Sequence, residues 1–171
     1  RYCRENSKKW GVEKIGVIGF SAGGHLAATA STLWTDEVTR PDFSILIYPV
    51  ITLTPGTTHH GTHKNLLGEG NMMKEKYMDR YSLDKQVCRF TPPTFIALSS
   101  DDATVPAENS LRYYNRLIDC EVPVEMHMWP TGGHGWGFSS EKFVGKGKER
   151  FSYARDEFES SLERWLEALK K

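Results

Sequence analysis

What this sequence lacks narrows it before any motif is read. None of its apolar runs approaches the ~20 residues that a helix needs to cross a bilayer, which excludes a helical membrane span. Its 22 basic and 22 acidic residues cancel, so no net positive field exists to recruit nucleic acid or an anionic membrane surface. Cysteine is scarce: Cys3, Cys88 and Cys120 are odd in number and widely spaced, which fits neither a disulfide framework nor a zinc site. There is no N-x-Ser/Thr acceptor for an N-linked glycan, no internal repeat and no linker composition that would split the chain. No signal-peptide pattern is visible at the start, and the compartment stays open. An initiator Met is also missing. "RYCRENSKKW" reads as a helix already in progress, so an upstream region is expected.

What is present is a globular composition. The chain has 171 residues, 39% of them hydrophobic, with five Trp, seven Tyr and eight Phe, enough for one domain around one core. Short β-branched runs alternate with amphipathic stretches. "KIGVIGF" (14–20), "FSILIYPV" (43–50), "TFIALSS" (94–100) and "VPVEMHMW" (122–129) read as buried parallel strands. Between and after them come a helix over 22–34 with Leu26, Ala30 and Leu33 on one stripe, and a helix opened by Pro106 with Leu111, Tyr114 and Ile118 on one face. A last helix, about 151–170, carries Phe158, Leu162, Trp165 and Leu169. Residues 51–91 read as irregular and polar, with "TPGTTHHGTH" a loop and a short helix at 73–82. Strict alternation predicts an α/β fold, a parallel sheet with helices packed against it.

Three places along this pattern can carry chemistry. "VIGFSAGGHLAATA" (17–30) contains Gly19-Phe20-Ser21-Ala22-Gly23, a G-x-S-x-G between a strand and a helix. At such a turn a side chain at either glycine is expected to collide with neighbouring backbone, and the serine hydroxyl is lifted above the sheet. The N–H of Ala22 then points at any oxyanion formed on a substrate. A serine needs a histidine to take its proton and a carboxylate to fix that histidine's tautomer. Parallel strands emit their following loops on one edge, so the partners belong at later strand ends. Asp101 and Asp102 follow the third strand, and His134 follows the fourth inside "GGHGWG". Nucleophile, acid and base thus occur in the order Ser, Asp, His.

The segments "GFSAGGHLAA", "SSDDATVPAENS" and "GGHGWG" resemble the α/β-hydrolase esterases, in particular their bacterial acetylxylan/feruloyl-esterase-like branch, and the resemblance runs over about residues 1–170. It implies a sheet with helices on both faces, of which this chain supplies strands five to eight of eight as a single domain, residues 1–171. In that family the acid sits in D-x-x-V-P, which selects Asp102 over Asp101. The resemblance therefore implies Ser21 as nucleophile, Asp102 as acid, His134 as base and Ala22 as an oxyanion donor. The implied activity is hydrolysis of short acyl esters, acetyl above all, on a small-molecule or carbohydrate substrate, with no cofactor and no metal. A prolyl-oligopeptidase-type peptidase shares these motifs, and a non-catalytic hydrolase-derived fragment or binding module is the other alternative. Family members also carry earlier strands and an H-G-G-type loop with a second oxyanion donor, and neither is encoded in these residues. The edge of 14–20 is accordingly expected to be covered by an upstream segment or by another copy of the chain.

The remaining candidates read as structural. His25, one turn below Ser21, is expected to be packed and hydrogen-bonded, and His127 to be buried on its strand. His59, His60 and His63 form H-H-x-x-H in a polar loop without the rigid scaffold a metal needs. Trp136 and Phe138 flank His134 and can either stack on a sugar or pack the loop. Lys142, Lys146, Lys148 and Arg150 form a solvated basic patch, and "GEG" and "GKG" are too short to cradle a phosphate.

Overall fold

The computed structural model describes residues 1–137 and 154–170. Four strands, β1 (Gly16–Phe20), β2 (Phe43–Ile47), β3 (Thr94–Ser99) and β4 (Val124–Trp129), pair in parallel in the order β1-β2-β3-β4. Ile18 lies opposite Ile45, Ile45 opposite Phe95, and Phe95 opposite Glu125. β3 is buried along its whole length, which explains why "TFIALS" shows no polar alternation. β1 has β2 on one side and no strand on the other among the described residues, and Ile18 is 43% exposed.

The helices are α1 (Tyr2–Trp10), α2 (Ala22–Thr32), α3 (His60–Leu67), α4 (Glu75–Tyr81), α5 (Glu108–Asp119) and α6 (Arg155–Ala168), with a 3-10 turn at Leu83–Gln86. Strands added in one direction by right-handed crossovers put α2, the α3–α4 segment and α5 on one face of the sheet. α6 covers the other, where the Trp165 ring lies 6.0 Å from Phe43 and 5.6 Å from Phe95. Phe158 joins the same cluster, 5.2 Å from Trp136 and 6.2 Å from Trp129. α1 is tied to the base of β2 by Arg4, which donates to Asp42 at 2.6 Å and to the Arg40 carbonyl at 2.9 Å.

Two helix faces differ from expectation. On α2 the buried residues are Gly24, His25, Ala27, Ala28 and Ser31, while Leu26 is 71% exposed. The small residues let the helix lie close on β1 and β2, so the largest apolar side chain is on the wrong face to mark the core. On α5 the buried set is Asn109, Ser110, Tyr113 and Leu117, and Ile118 is exposed. There the polar pair is buried because Asn109 supplies hydrogen bonds to a loop: it accepts from Ile51 N at 2.9 Å and Thr52 N at 3.1 Å, and donates to Thr57 O at 2.9 Å. The "TPGTTHHGTH" loop also ends early, since α3 begins at His60 with His59 as its N-cap. His127 is half-buried on β4, the last strand of the sheet among the described residues; it bonds Glu125 at 2.8 Å and stacks between Phe95 and Trp129.

Candidate active site

β1 ends at Phe20 and α2 starts at Ala22, leaving Ser21 alone to make the turn at φ 54 and ψ −121. A non-glycine residue there costs on the order of 1–3 kcal/mol and persists only where its surroundings hold it. Here the loop after β2 does so. Ser21 N donates to the Ile47 carbonyl at 3.0 Å, and the Ser21 carbonyl accepts from Val50 N at 3.0 Å and Gly24 N at 2.9 Å. The flanking glycines are not equivalent. A Cβ at Gly19 would overlap the Gly23 carbonyl, whereas one at Gly23 meets nothing within 4 Å. The second crowded position is Gly24, where a Cβ would lie 2.6 Å from Pro49 Cβ. The collision expected at Gly23 therefore belongs one residue later, where α2 presses on the chain leaving β2.

The Ser21 side chain makes no helix-capping bond, although Ser21 holds the N-cap position. Its Oγ lies instead 2.8 Å from His134 Nε2, and His134 Nδ1 lies 2.6 Å from Asp102 Oδ2. The other Asp102 oxygen, Oδ1, accepts from Thr104 N at 2.8 Å and Val105 N at 2.9 Å. The carboxylate is nearly sealed, its side chain 1% exposed. Burial pushes this carboxyl up. The hydrogen bonds from His134, Val105 and Thr104, with the attraction of an imidazolium, more than offset that and hold it below the usual carboxylate range. All three groups stand on loops leaving the same edge of the sheet. Ala22, as the first residue of α2, presents a backbone N–H that has no acceptor within the helix.

Asp101 does not reach the imidazole; its Oδ1 accepts from Gly133 N at 2.7 Å and so ties down the strand side of the histidine loop. That loop turns on Gly132, Gly133, Gly135 and Gly137, all at positive φ. Trp136 is buried and donates to Ser99 Oγ at 3.1 Å, which makes it a packing residue of the loop. Phe138, the basic patch at 142–150 and "GKG" lie outside the described residues. One participant was missed from sequence. Tyr48, the first residue after β2, packs its ring 4.7 Å from that of His134 and accepts from Gly137 N at 2.8 Å. In "FSILIYPV" it reads as one more apolar strand residue; its only signal is the Pro49 that ends the strand.

His25 is buried, with Nε2 2.8 Å from the Tyr81 carbonyl, and its burial lowers its pKa against the opposing pull of that carbonyl. His59 accepts from Thr62 N at 3.2 Å, His60 is exposed and His63 is buried, so H-H-x-x-H does not converge. No group of three or more His, Cys, Asp or Glu among the described residues could hold a metal ion, and no helix there is long and apolar enough to cross a membrane. A groove of about 470 Å³ runs from Ala22 between α2 and α3, lined by Leu26, His59, Thr62 and Leu66 among others.

The chain is similar in sequence and fold to known proteins. The family model for the alpha/beta hydrolase fold matches residues 1–138. An acetylxylan esterase of Xylanibacter ruminicola is 34% identical over 173 residues, covering 99% of this chain and 34% of that protein. Endo-1,4-beta-xylanase B of Butyrivibrio fibrisolvens is 34% identical over 155 residues, 84% of this chain and 24% of that protein. Among solved structures, an acetyl ester-xyloside bifunctional hydrolase from Caldicellulosiruptor lactoaceticus superposes with a TM-score of 0.76 at 39% identity, covering 93% of this chain and 61% of that one. The chain thus spans about a third or less of the length of these two curated relatives.

Proposed function

This chain belongs to the alpha/beta hydrolase fold family, and on that premise we propose that it carries the catalytic machinery of a serine carboxylesterase acting on short acyl esters of carbohydrates. The observation that carries this reading is the unbroken line of hydrogen bonds from Ser21 Oγ through His134 to Asp102. Ser21 Oγ attacks the ester carbonyl carbon while His134 Nε2 takes its proton. Asp102 holds the Nδ1 proton and stabilises the imidazolium that results. The tetrahedral oxyanion is received by the Ala22 N–H at the head of α2. Collapse expels the sugar hydroxyl, which leaves with the proton from Nε2, and the acyl group stays on Ser21. Water then attacks the acyl-enzyme by the same relay and releases the carboxylic acid.

The acetyl preference and the sugar alcohol rest on the relatives, which include an acetylxylan esterase and an acetyl ester-xyloside hydrolase. The open edge of β1 is the proposed place for a further strand, from another segment or a second copy. Labelling with a fluorophosphonate followed by peptide mapping tests the nucleophile: modification is expected at Ser21 alone. Ser21→Ala should lower turnover of 4-nitrophenyl acetate by about a million-fold, as loss of a triad nucleophile does. Retained turnover in that variant, or faster cleavage of octanoyl than of acetyl esters, would overturn the nucleophile or the substrate class respectively.

A further inference from the structure

We propose that Tyr48 is a positioning residue that sets the reach of His134 toward Ser21, an inference that rests on the triad reading above. Tyr48 has φ 37, in the left-handed region, although it is a bulky aromatic residue. Such a backbone is retained where the side chain's place matters more than local comfort. Two of its bonds fix that place from either end. Tyr48 N donates to the Ala97 carbonyl at 2.7 Å, anchoring the residue to β3, and Tyr48 Oη accepts from Gly137 N at 2.8 Å. Between these anchors the ring packs 4.7 Å from the imidazole of His134 and 4.9 Å from the indole of Trp136. Burial raises the phenol's pKa, so the hydroxyl stays neutral and keeps its place against Gly137.

The histidine loop needs such a hold. Its four glycines at positive φ give it many accessible conformations when free, and ordering them is entropically costly. Asp101 catches the loop at Gly133, before the histidine; Tyr48 catches it at Gly137, beyond the histidine, and fills the space against the ring itself. Without Tyr48 the loop is still held by Asp101 at Gly133 and by Trp136 at Ser99 Oγ, but His134 loses the wall that stops the imidazole swinging from Ser21 Oγ. The substrate carbonyl does not need this wall to bind. The effect falls on proton transfer, in kcat rather than in KM.

The test compares steady-state kinetics of 4-nitrophenyl acetate hydrolysis in Tyr48→Leu and Tyr48→Phe, with Ser21→Ala as the reference for the triad and Leu117→Ala, a core truncation in α5, as a stability control. Tyr48→Leu is expected to lower kcat about ten- to a hundredfold, the scale of a displaced catalytic group, with KM unchanged within about twofold. Tyr48→Phe keeps the ring and loses only the Gly137 bond, so kcat should fall about three- to fivefold, between the parent and Tyr48→Leu. Leu117→Ala should lower the melting temperature yet leave kcat near the parent's. Equal kcat in Tyr48→Phe and the parent overturns the clamp at Gly137. A Tyr48→Leu loss carried by KM, or matched by Leu117→Ala, reduces Tyr48 to core packing. Should Tyr48→Leu not fold, the Tyr48→Phe comparison alone decides. Activity surviving in Ser21→Ala would instead refute the triad reading, whatever the Tyr48 variants do.

Discussion

Replacing Asp102 by Asn removes a charge from the site, but the structure points to a second and larger consequence. Oδ1 of Asp102 accepts two backbone bonds, from Thr104 N and Val105 N, while Oδ2 faces His134 Nδ1. An Asn side chain can satisfy both backbone donors only by placing its carbonyl oxygen where Oδ1 lies. Its NH2 then faces His134 and donates to Nδ1, which must give up its proton. The imidazole is left in the Nε2–H tautomer, which donates to Ser21 Oγ and cannot accept from it. Flipping the amide restores the working tautomer but sets the buried Val105 N–H and the part-buried Thr104 N–H against an NH2. Leaving the buried Val105 donor unsatisfied costs about 1–3 kcal/mol, and the part-buried Thr104 donor adds up to about as much again, roughly 2–6 kcal/mol at most together. At about 1.4 kcal/mol per tenfold, that suppresses the productive form by about thirty- to twenty-thousand-fold. Losing the carboxylate beside the imidazolium adds to this, so the expected fall in kcat is near the top of that range, about ten-thousand-fold. The assay is 4-nitrophenyl acetate hydrolysis, with the melting temperature followed in parallel. A loss under about tenfold in a folded variant would refute the argument, because Asp102 would then not be fixing the tautomer.

Other predictions draw on neighbouring contacts. Asp101→Asn should cost little, within about threefold in kcat, because an amide oxygen still accepts from Gly133 N at the price of about one weakened hydrogen bond; a loss exceeding that of Asp102→Asn would exchange the roles of the two acids. Gly19→Ala should lower the melting temperature by several degrees, from about 1–3 kcal/mol of overpacking against the Gly23 carbonyl, while Gly23→Ala should not; differential scanning fluorimetry reads both, and equal losses would contradict the geometry of the turn. His25 has a folded pKa below its unfolded value of about 6.5, so it adds stability above that pH which is lost as pH falls toward the folded pKa. Between pH 7.5 and 5.5 the melting temperature of the parent should therefore decline more steeply than that of His25→Gln, and parallel slopes would show that burial of His25 does not matter. Backbone amides of residues 16–20 that point away from β2 should exchange rapidly in an isolated monomer and slowly where a further strand pairs there; hydrogen exchange at two protein concentrations distinguishes the cases.

The parallel strands and the meeting of Ser21, Asp102 and His134 at one sheet edge were legible for a physical reason. A parallel sheet sends every strand-to-helix loop to one edge, so Ser21, the pair Asp101 and Asp102, and His134 could be brought together by topology, and the D-x-x-V-P resemblance favoured Asp102. What the sequence hid were features set by close packing. Leu26 looks like the core residue of α2, yet the approach demanded by Gly24 against Pro49 leaves the buried face to Ala27 and Ala28. Asn109 and Ser110 look like solvent residues of α5, and Asn109 is buried because an irregular segment needs its amide. Gly61 and the histidines around it disguised α3, whose start depends on a side-chain cap from His59. Asp101 and Asp102 differ by one position in sequence; the resemblance favoured Asp102 as the histidine's partner, but the tie of Asp101 to Gly133 was hidden. Tyr48 was hidden most completely, because nothing in an apolar strand end announces that its hydroxyl will meet a glycine 89 residues on.

The order β1-β2-β3-β4 has a further consequence, for the chain as it is being made. Each strand docks on the one synthesised just before it, so the sheet can lengthen at one edge as the polypeptide leaves the ribosome. Ser21 and its elbow can form as soon as β2 has docked, since Ile47 and Val50 hold the turn. His134 follows 113 residues behind Ser21. At about 5–20 residues per second, that is an interval of roughly 6–20 seconds. Throughout it Ser21 stands in its strained turn as an ordinary alcohol, with no His134 imidazole beside it. The proposed relay is complete only when the glycine-rich loop closes, and a nascent chain stalled before that loop would be inert and would still lack α6, whose Trp165 packs on Phe43 and Phe95.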